Sequence, residues 1–244
     1  MCGRYAQTLS ISELVDEYEI EGTVPQSELP HSWNIAPTNP IYIVTADSHG
    51  TGQIRSLAIA SWGMLAHWHR DEIQARASQS HAINARMESI HEKPTFRNSF
   101  RTQRCLIPAD GYYEWATALG DYSPKQPFYI SSKETRSLPI AGIWSSWKNV
   151  EGEIITSAAL ITREAVGDLA HIHSRMPVIM PSDKWAKWLN PRTHDIAELQ
   201  SLMNNPHPDA GLVAEPVSRM VNSVANNGKQ LIEPVELGHP ETLF

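Results

Sequence analysis

Two apolar runs, Leu138-Pro139-Ile140-Ala141-Gly142-Ile143-Trp144 and Ile154-Ile155-Thr156-Ser157-Ala158-Ala159-Leu160-Ile161-Thr162, flank one short polar segment. Both are rich in branched and aromatic residues, which favour β-strands. Similar runs occur at residues 41–45, 54–62, 105–107, 128–131 and 178–180. Strands therefore dominate without a regular alternation of strand and helix. This pattern predicts an α+β fold with a mostly antiparallel, barrel-like β-sheet core and short peripheral helices.

Three short helices are predicted around the sheet. Ser10 and Glu13 form a capping-box pattern ahead of an apolar face, which predicts a helix beginning near Ser10. Two further helices are expected at residues 182–189, where Asn190-Pro191 stops the pattern, and at 195–203. The stretch 25–40 is rich in proline and serine and is predicted to be irregular.

Length and composition indicate one domain over residues 1–244, with a peripheral tail after about residue 232. No stretch resembles a membrane span or a secretory signal. Two cysteines then fit a reducing cytoplasm with free thiols. We expect a cytoplasmic monomer that contacts no membrane and associates with the nucleoid when bound to DNA.

The net charge of −7 argues against general nucleic-acid binding through phosphate neutralisation. A local basic groove remains compatible with that charge, because several arginines flank the polar segments described below. The chain also has eight tryptophans. Flat aromatic rings beside arginines suit stacking on unpaired bases, although core packing is their commoner use.

The chain start Met1-Cys2-Gly3-Arg4 can generate an unusual nucleophile. Once Met1 is removed, Cys2 carries a free α-amine and a thiol on adjacent carbons. This pair can trap an aldehyde as an imine and close to a thiazolidine, or the amine can act as base for the thiol in acyl transfer. The α-amine has a reference pKa of about 7.7–8.0, against about 10.4 for lysine, so much more of it is nucleophilic near neutral pH.

Four polar segments interrupt the apolar pattern. They are Trp33-Asn34-Ile35-Ala36-Pro37, Ile83-Asn84-Ala85-Arg86-Met87-Glu88, Pro108-Ala109-Asp110-Gly111-Tyr112-Tyr113-Glu114-Trp115 and Ile172-His173-Ser174-Arg175-Met176-Pro177. With Cys2 they supply an amide, a carboxylate and an imidazole, at Asn84, Glu114 and His173. An imine-forming amine needs groups of these types for orientation and proton transfer. Glu88 is open to a second interpretation, as the partner of an arginine.

These segments resemble the SOS-response-associated peptidase (SRAP) domain family, whose members shield abasic sites in single-stranded DNA by covalent attachment. The resemblance also includes Trp62-Gly63 and Pro216-Val217-Ser218 with Val221-Asn222, so its motifs cover almost the whole chain in order. One departure is Thr38, where some relatives have glycine.

The resemblance implies a role for each matching residue. Cys2 is the crosslinking residue, Asn84 positions its amine or the sugar, Glu114 is the general acid and base, and His173 helps to open the deoxyribose. The implied DNA contacts are Arg4, Arg86 and Arg175 to phosphates, Pro37 and Trp68 to splayed bases, and Thr162 and Ser218 to the backbone. The same site is implied to remove Met1 as a peptidase and to have lyase-like activity.

Three other interpretations bear on function. The alternating pairs His67/His69 and His171/His173 lack nearby thiolates or carboxylates in a known ligand spacing, so no metal or other cofactor is expected. A glutamine amidotransferase of the N-terminal-nucleophile type also begins Cys-Gly, but Arg4-Tyr5-Ala6-Gln7 follows here in place of a glycine-rich strand. A non-catalytic single-strand-binding module is the third possibility.

Overall fold

A computed structural model describes residues 2–49, 52–66, 68–69, 71–117 and 125–237, apart from the side chains of residues 48, 49 and 52. Met1, His67 and the end of the predicted tail, residues 238–244, lie outside the described residues. In the part that is described, the longest helices have eight residues. None of them is long and apolar enough to cross a bilayer.

Twelve strands and five α-helices are found in the described ranges. The strands are β1 (Tyr5–Gln7), β2 (Ser32–Ile35), β3 (Pro40–His49), β4 (Gly52–Trp62), β5 (Asn84–Arg86), β6 (Arg104–Ala109), β7 (Gly111–Trp115), β8 (Pro127–Ser132), β9 (Leu138–Lys148), β10 (Ile154–Glu164), β11 (Arg175–Pro177) and β12 (Leu212–Pro216). The helices are α1 (Ile11–Tyr18), α2 (Glu72–Gln79), α3 (Arg97–Thr102), α4 (Trp185–Leu189) and α5 (Ile196–Met203).

Five strands close into a barrel in the order β10-β4-β3-β6-β9. Four of the five contacts are antiparallel. The barrel closes where β10 pairs with β4 in parallel, with Ser157 opposite Ser61. The predicted α+β class with a mostly antiparallel, barrel-like core is therefore confirmed.

A second sheet, in the order β12-β8-β7-β1-β2, lies against the barrel. All of its pairings are antiparallel. Strand β1 lies between β7 and β2, so the beginning of the chain occupies the interior of this sheet. Its neighbours hold Cys2, three residues before the beginning of β1, inside the protein.

The alternation of side chains along β10 explains why its apolar run is continuous. Ala159 and Ile161 point into one core, whereas Ala158 and Leu160 point into a second core that contains Cys2. A strand that is buried on both faces needs apolar residues at every position. β10 also pairs with β5, β9 and β11, so it aligns the segments that carry Asn84 and Arg175.

Some predicted elements are confirmed and others are wrong. The Ser10–Glu13 capping box begins α1, and Asp195 caps α5. The stretch 25–40 is not wholly irregular, because β2 lies in it and completes the edge of the second sheet. The strand predicted at residues 178–180 is wrong, because the strand in this region is β11, which ends at Pro177. Residues 178–180 contribute only an isolated β-bridge at Ile179. The short strands β1, β5, β7 and β12 were not predicted from the sequence.

Candidate active site at the beginning of the chain

Cys2 is completely buried in the core between the barrel and the second sheet. The side-chain Nδ2 of Asn84 donates a hydrogen bond to the carbonyl oxygen of Cys2 over 2.7 Å. The other amide atom, Asn84 Oδ1, is buried and has no hydrogen-bond partner among the described residues. A buried acceptor of this kind is unusual and is available to a donor at the chain start.

Glu114 and His173 meet beside Cys2. Glu114 lies on β7, whose neighbour β1 follows Cys2, and only 3% of its surface is exposed. Its Oε2 lies 3.8 Å from Nδ1 of His173. Burial raises the pKa of Glu114 to about 7. A carboxyl group with this pKa is available both as acid and as base near neutral pH.

The imidazole of His173 is oriented by the backbone that follows it. The backbone N–H of Arg175 donates to Nδ1 of His173 over 3.0 Å. The neutral ring therefore carries its proton on Nε2. Burial lowers the pKa of His173 below its ordinary value, which favours this neutral form at pH 7.

The thiol of Cys2 is held in its neutral state. Burial raises its pKa well above the ordinary range, and the charge of Glu114 acts in the same direction. Because the thiolate is the nucleophile, a base must take the thiol proton when sulfur attacks. Glu114 is the carboxylate close enough to influence that proton. Cys105, the other cysteine, is also a free and fully buried thiol.

Arg175 is bound within the protein. Its Nη1 and Nη2 donate to the two carboxylate oxygens of Glu88 over 2.8 and 2.9 Å. Nη2 also donates to the carbonyl oxygen of Thr162 over 2.7 Å. The side chain of Thr162 is fully buried, so Thr162 meets Arg175 beneath the surface. Of the two interpretations of Glu88, partner of an arginine is the one that the structure supports.

An open groove of about 700 Å³ adjoins His173. Its lining residues are Arg86, Glu164, Ala165, Ala170, His173, Ser174 and Arg175. Arg86 is exposed at the end of β5, two residues after Asn84. The groove therefore brings one exposed positive charge to the edge of the candidate site.

Arg4 lies on the other side of Cys2 and joins the chain start to a later segment. Its Nη1 donates to Oδ1 of Asn34 over 2.7 Å and to the carbonyl oxygen of Val221 over 3.0 Å. Its guanidinium carbon lies 5.9 Å from the ring centroid of Trp115. Ser218 lies at the beginning of this later segment, where its Oγ accepts from the backbone N–H of Met220. The sequence motifs contained Asn34 and Trp115 but gave no sign of this network.

Pro37 and Trp68 lie in two different loops. Pro37 is in the turn between β2 and β3, which is attached to β4 because the N–H of Thr38 donates to the carbonyl oxygen of Trp62 over 2.8 Å. Trp68 follows β4 and is 46% exposed, with its ring 6.0 Å from that of His69. The carbonyl of His69 accepts from Trp147, which pairs with Ile155 on β10. Ile155, to which the Trp68 loop is linked through Trp147, is seven residues from Thr162 on β10. The distance between the two residues along β10 is roughly 23 Å.

Comparison with known proteins identifies the family. Residues 1–224 match the family model described as SOS response associated peptidase (SRAP). The chain belongs to the SRAP family. It is 34% identical to abasic site processing protein YoqW of Bacillus subtilis, over 96% of this chain and 99% of that protein. It is 27% identical to abasic site processing protein HMCES of Gallus gallus, over 99% of this chain and 80% of that protein.

Solved structures share the SRAP fold. A protein from Bacteroides thetaiotaomicron superposes with a TM-score of 0.81 at 24% identity, over 96% of this chain and 100% of that one. A protein from Bordetella bronchiseptica gives a TM-score of 0.72 at 29% identity, over 89% of this chain and 100% of that one. The predicted membership of the SRAP family is thereby confirmed. In this SRAP chain the motif residues Cys2, Asn84, Glu114 and His173 converge on one site.

Proposed function

We propose that this SRAP protein recognises abasic sites in single-stranded DNA and attaches itself covalently to them through Cys2. The carrying observation is that Asn84 bonds the carbonyl of Cys2, the charge of Glu114 acts on its thiol, and His173 lies beside Glu114. The names of the relatives, abasic site processing proteins, support the same substrate. Covalent attachment protects the damaged strand in the DNA damage response.

The first step of the proposed reaction is release of the Cys2 amine by removal of Met1. In this proposal the same site removes Met1, which makes the protein a self-processing peptidase; the small side chain of Cys2 also permits removal by a general aminopeptidase. Asn84 then orients the chain start through the Cys2 carbonyl, and its free Oδ1 accepts a hydrogen bond from the new amine. The amine is thereby directed towards the carboxyl group of Glu114.

Proton transfers by Glu114 carry the covalent steps. The amine adds to the aldehyde carbon to give a carbinolamine, and protonated Glu114 donates its proton as the hydroxyl leaves as water. Loss of water leaves a protonated imine, in which the nitrogen keeps the N–H proton of the carbinolamine. Sulfur attacks the imine carbon, a C–S bond forms, and the π electrons of the C=N bond return to nitrogen. The carboxylate of Glu114 takes up the thiol proton and returns to its starting state. One water is lost overall, and the product is a thiazolidine.

His173 acts on the sugar in this proposal. An abasic deoxyribose is mostly a closed hemiacetal, so its ring must open before an aldehyde is available. The protonated imidazole of His173 gives its Nε2 proton to the ring oxygen as the C–O bond breaks, and the hemiacetal hydroxyl returns a proton to Nε2 as it becomes the aldehyde oxygen. The same group assists the reverse reaction. Closure onto sulfur removes the imine that drives strand cleavage by β-elimination, so the strand stays intact once the ring has formed.

The DNA lies in the groove beside His173. Arg86 provides an exposed charge for phosphate, and Ser218 is a proposed backbone contact. Thr162 is fully buried, so it supports Arg175 and does not contact the DNA backbone itself. Arg4 and Arg175 contribute charge from partly buried positions, while Pro37 and Trp68 pack against bases outside the groove. The anomeric carbon is poorly reachable inside a duplex, so access favours unpaired DNA.

The test compares single-stranded oligonucleotides with and without one abasic site, followed by denaturing electrophoresis. A slowly migrating adduct is expected only with the abasic strand and not with Cys2→Ala. Cys105→Ala is the matched control, because it removes the other buried thiol and should still give the adduct. Mass spectrometry should find Cys2 at the chain start, joined to DNA with loss of one water.

Three results would reject the proposal. They are an adduct that survives Cys2→Ala, a conjugate on another residue, or active protein that retains Met1. Unchanged DNA binding without any adduct indicates the non-catalytic binding module instead. Release of ammonia from glutamine indicates the amidotransferase.

A further inference from the structure

One ion pair connects the segments that carry Asn84 and His173. Glu88 follows Asn84 by four residues along the chain, and Arg175 follows His173 by two. The two parallel contacts between their side chains, 2.8 and 2.9 Å long, have the bidentate geometry that is strongest for a guanidinium and a carboxylate. The pair therefore ties the loop after β5 to the beginning of β11.

The two partners differ in exposure. The side chain of Arg175 is 10% exposed and that of Glu88 is 46% exposed. A shielded guanidinium requires a counter-charge, and leaving it uncompensated is strongly unfavourable. Thr162 contributes a carbonyl oxygen, but Glu88 supplies the negative charge. Glu88 thus keeps Arg175 in its observed position.

Arg175 acts on His173 in two ways. Its backbone N–H donates to Nδ1 of His173, which leaves the proton of the neutral ring on Nε2. Its positive charge also disfavours protonation of the imidazole. The other charged groups around His173 are Glu114 on β7, Arg86 and Glu164 along the groove, and the amine at the chain start.

We propose that Glu88 is a positioning residue for proton transfer by His173, because its carboxylate fixes the guanidinium of Arg175 and offsets part of its charge beside the imidazole. The inference rests on the proposed function of His173. It assigns Glu88 no contact with DNA and no direct part in the covalent steps.

Glu88→Gln removes the charge while keeping the size of the side chain. Its amide can accept one hydrogen bond from Arg175, but its NH₂ group then faces a second N–H donor. The guanidinium of Arg175 then has no counter-charge, so its full positive charge acts on His173. Protonation of the imidazole becomes harder, so the part of the pH profile that depends on His173 moves to lower pH.

The experiment measures the rate of adduct formation with a single-stranded abasic oligonucleotide from about pH 5 to about pH 9. Variants Glu88→Gln, Glu88→Asp, His173→Gln and the double variant Glu88→Gln/His173→Gln are compared. Glu92→Gln is the matched control, since Glu92 is an exposed carboxylate of the same loop that faces His91. The pKa of His173 is measured separately by NMR titration without DNA, with His173→Gln identifying its signal.

Three results are expected together. Glu88→Gln lowers the rate about 10-fold at pH 7 and moves both the His173-dependent limb and the NMR pKa downward. Glu88→Asp, which retains the charge, recovers most of the rate. The double variant is no slower than His173→Gln alone, because the two residues act through one step.

A uniform rate loss at every pH with an unmoved His173 pKa overturns the inference, as does an additive loss in the double variant. If wild-type protein forms no adduct, the proposed function fails, whereas the NMR titration still reports whether Glu88 controls His173. If Glu88→Gln does not fold, the titration of Glu88→Asp decides. Its His173 pKa is expected to stay near that of wild type, and a large shift rejects the inference.

Discussion

Oε2 of Glu114 lies 3.8 Å from Nδ1 of His173, and burial shifts the pKa values of the two groups in opposite directions. That of Glu114 rises to about 7, while that of His173 falls below its usual value. The order of the two pKa values is therefore the reverse of that in free side chains. The site holds a carboxyl group that keeps its proton near neutral pH and an imidazole that is mostly neutral there, beside the only thiol that can gain an adjacent free amine.

Glu114→Gln should lower the rate of adduct formation about 10²- to 10³-fold, because the amide neither donates nor removes the proton in the covalent steps. The measurement is single-turnover adduct formation on an abasic oligonucleotide. Glu215→Gln is the matched control, since Glu215 is an exposed strand carboxylate on β12. Equal rates for wild type and Glu114→Gln would remove the acid–base role.

The same substitution should stabilise the protein at high pH. An acid with a raised pKa in the folded state binds a proton more tightly there than in the unfolded chain, so stability falls as pH rises through the folded pKa. Glu114→Gln should raise the free energy of unfolding by about 1–3 kcal/mol at pH 8 and by almost nothing below about pH 4. Denaturant unfolding at several pH values measures this difference, and a gain that grows towards low pH would contradict the sign.

Asp110 should show the same dependence at a lower pH. Burial raises its pKa to about 6, even though Thr8 donates a hydrogen bond of 2.6 Å to its Oδ2. Asp110→Asn keeps an oxygen for that bond and removes the buried charge. We expect a stability gain of about 1–3 kcal/mol above pH 7 that disappears between pH 6 and pH 4. Loss of stability at every pH would show that the carboxylate is favourable in the fold.

The barrel could be predicted because β10 is visible in the sequence as a continuous apolar run. β10 needs that run because it is buried on both faces. The parallel pairing of β10 with β4 and with β5 could not be predicted from the sequence. A strand of three residues such as β5 is too short to show periodicity, and its place depends on tertiary packing. The same reason applies to β2, whose pairing with β1 overrides the proline-rich composition around it.

The sequence also supplied the residue types of the site, but not their contacts. Asn84 meets the Cys2 carbonyl across 82 residues, and Arg175 meets Glu88 across 87. Such contacts follow from the register of β5 and β11 on β10, which no local pattern encodes. Composition gave no sign that Arg4 and Arg175 donate to groups of the protein itself.

Asn84→Asp should be more damaging than Asn84→Ala. The Nδ2 donor faces the Cys2 carbonyl at 2.7 Å, and a carboxylate would place an oxygen against that oxygen. Alanine removes the bond and leaves the carbonyl unsatisfied, which costs about 1–3 kcal/mol of stability. Thermal melting and adduct rates check the order. If Asn84→Asp retains wild-type rates, Asn84 does not orient the chain start.

Thr38→Gly should stabilise the protein by about 1 kcal/mol. Thr38 has a φ of 72°, a left-handed conformation that is strained for a β-branched residue. Glycine removes the strain, which exceeds its extra entropy in the unfolded chain.

Thr102→Gly should have the opposite effect on stability from Thr38→Gly. Thr102 is exposed at the end of α3, where glycine should cost up to about 1 kcal/mol. Chemical denaturation of both variants compares them directly. A destabilised Thr38→Gly would mean that the contacts of the Thr38 side chain outweigh its backbone strain.

Arg86→Ala should weaken DNA binding in a salt-dependent way. Arg86 is exposed beside the groove, and its side chain makes no hydrogen bond or ion pair with any of the described residues. A phosphate can therefore reach it without breaking an internal contact. Neutralising one phosphate of single-stranded DNA contributes about 0.7 to the slope of log affinity against log salt concentration, so that slope should become shallower by about this amount.

Fluorescence anisotropy with an undamaged oligonucleotide measures binding separately from covalent attachment. Arg76→Ala is the control, because Arg76 on α2 is paired with Glu72 and should not change the slope. If both variants lose affinity without a change in slope, Arg86 contacts no phosphate and the groove beside His173 does not carry the strand.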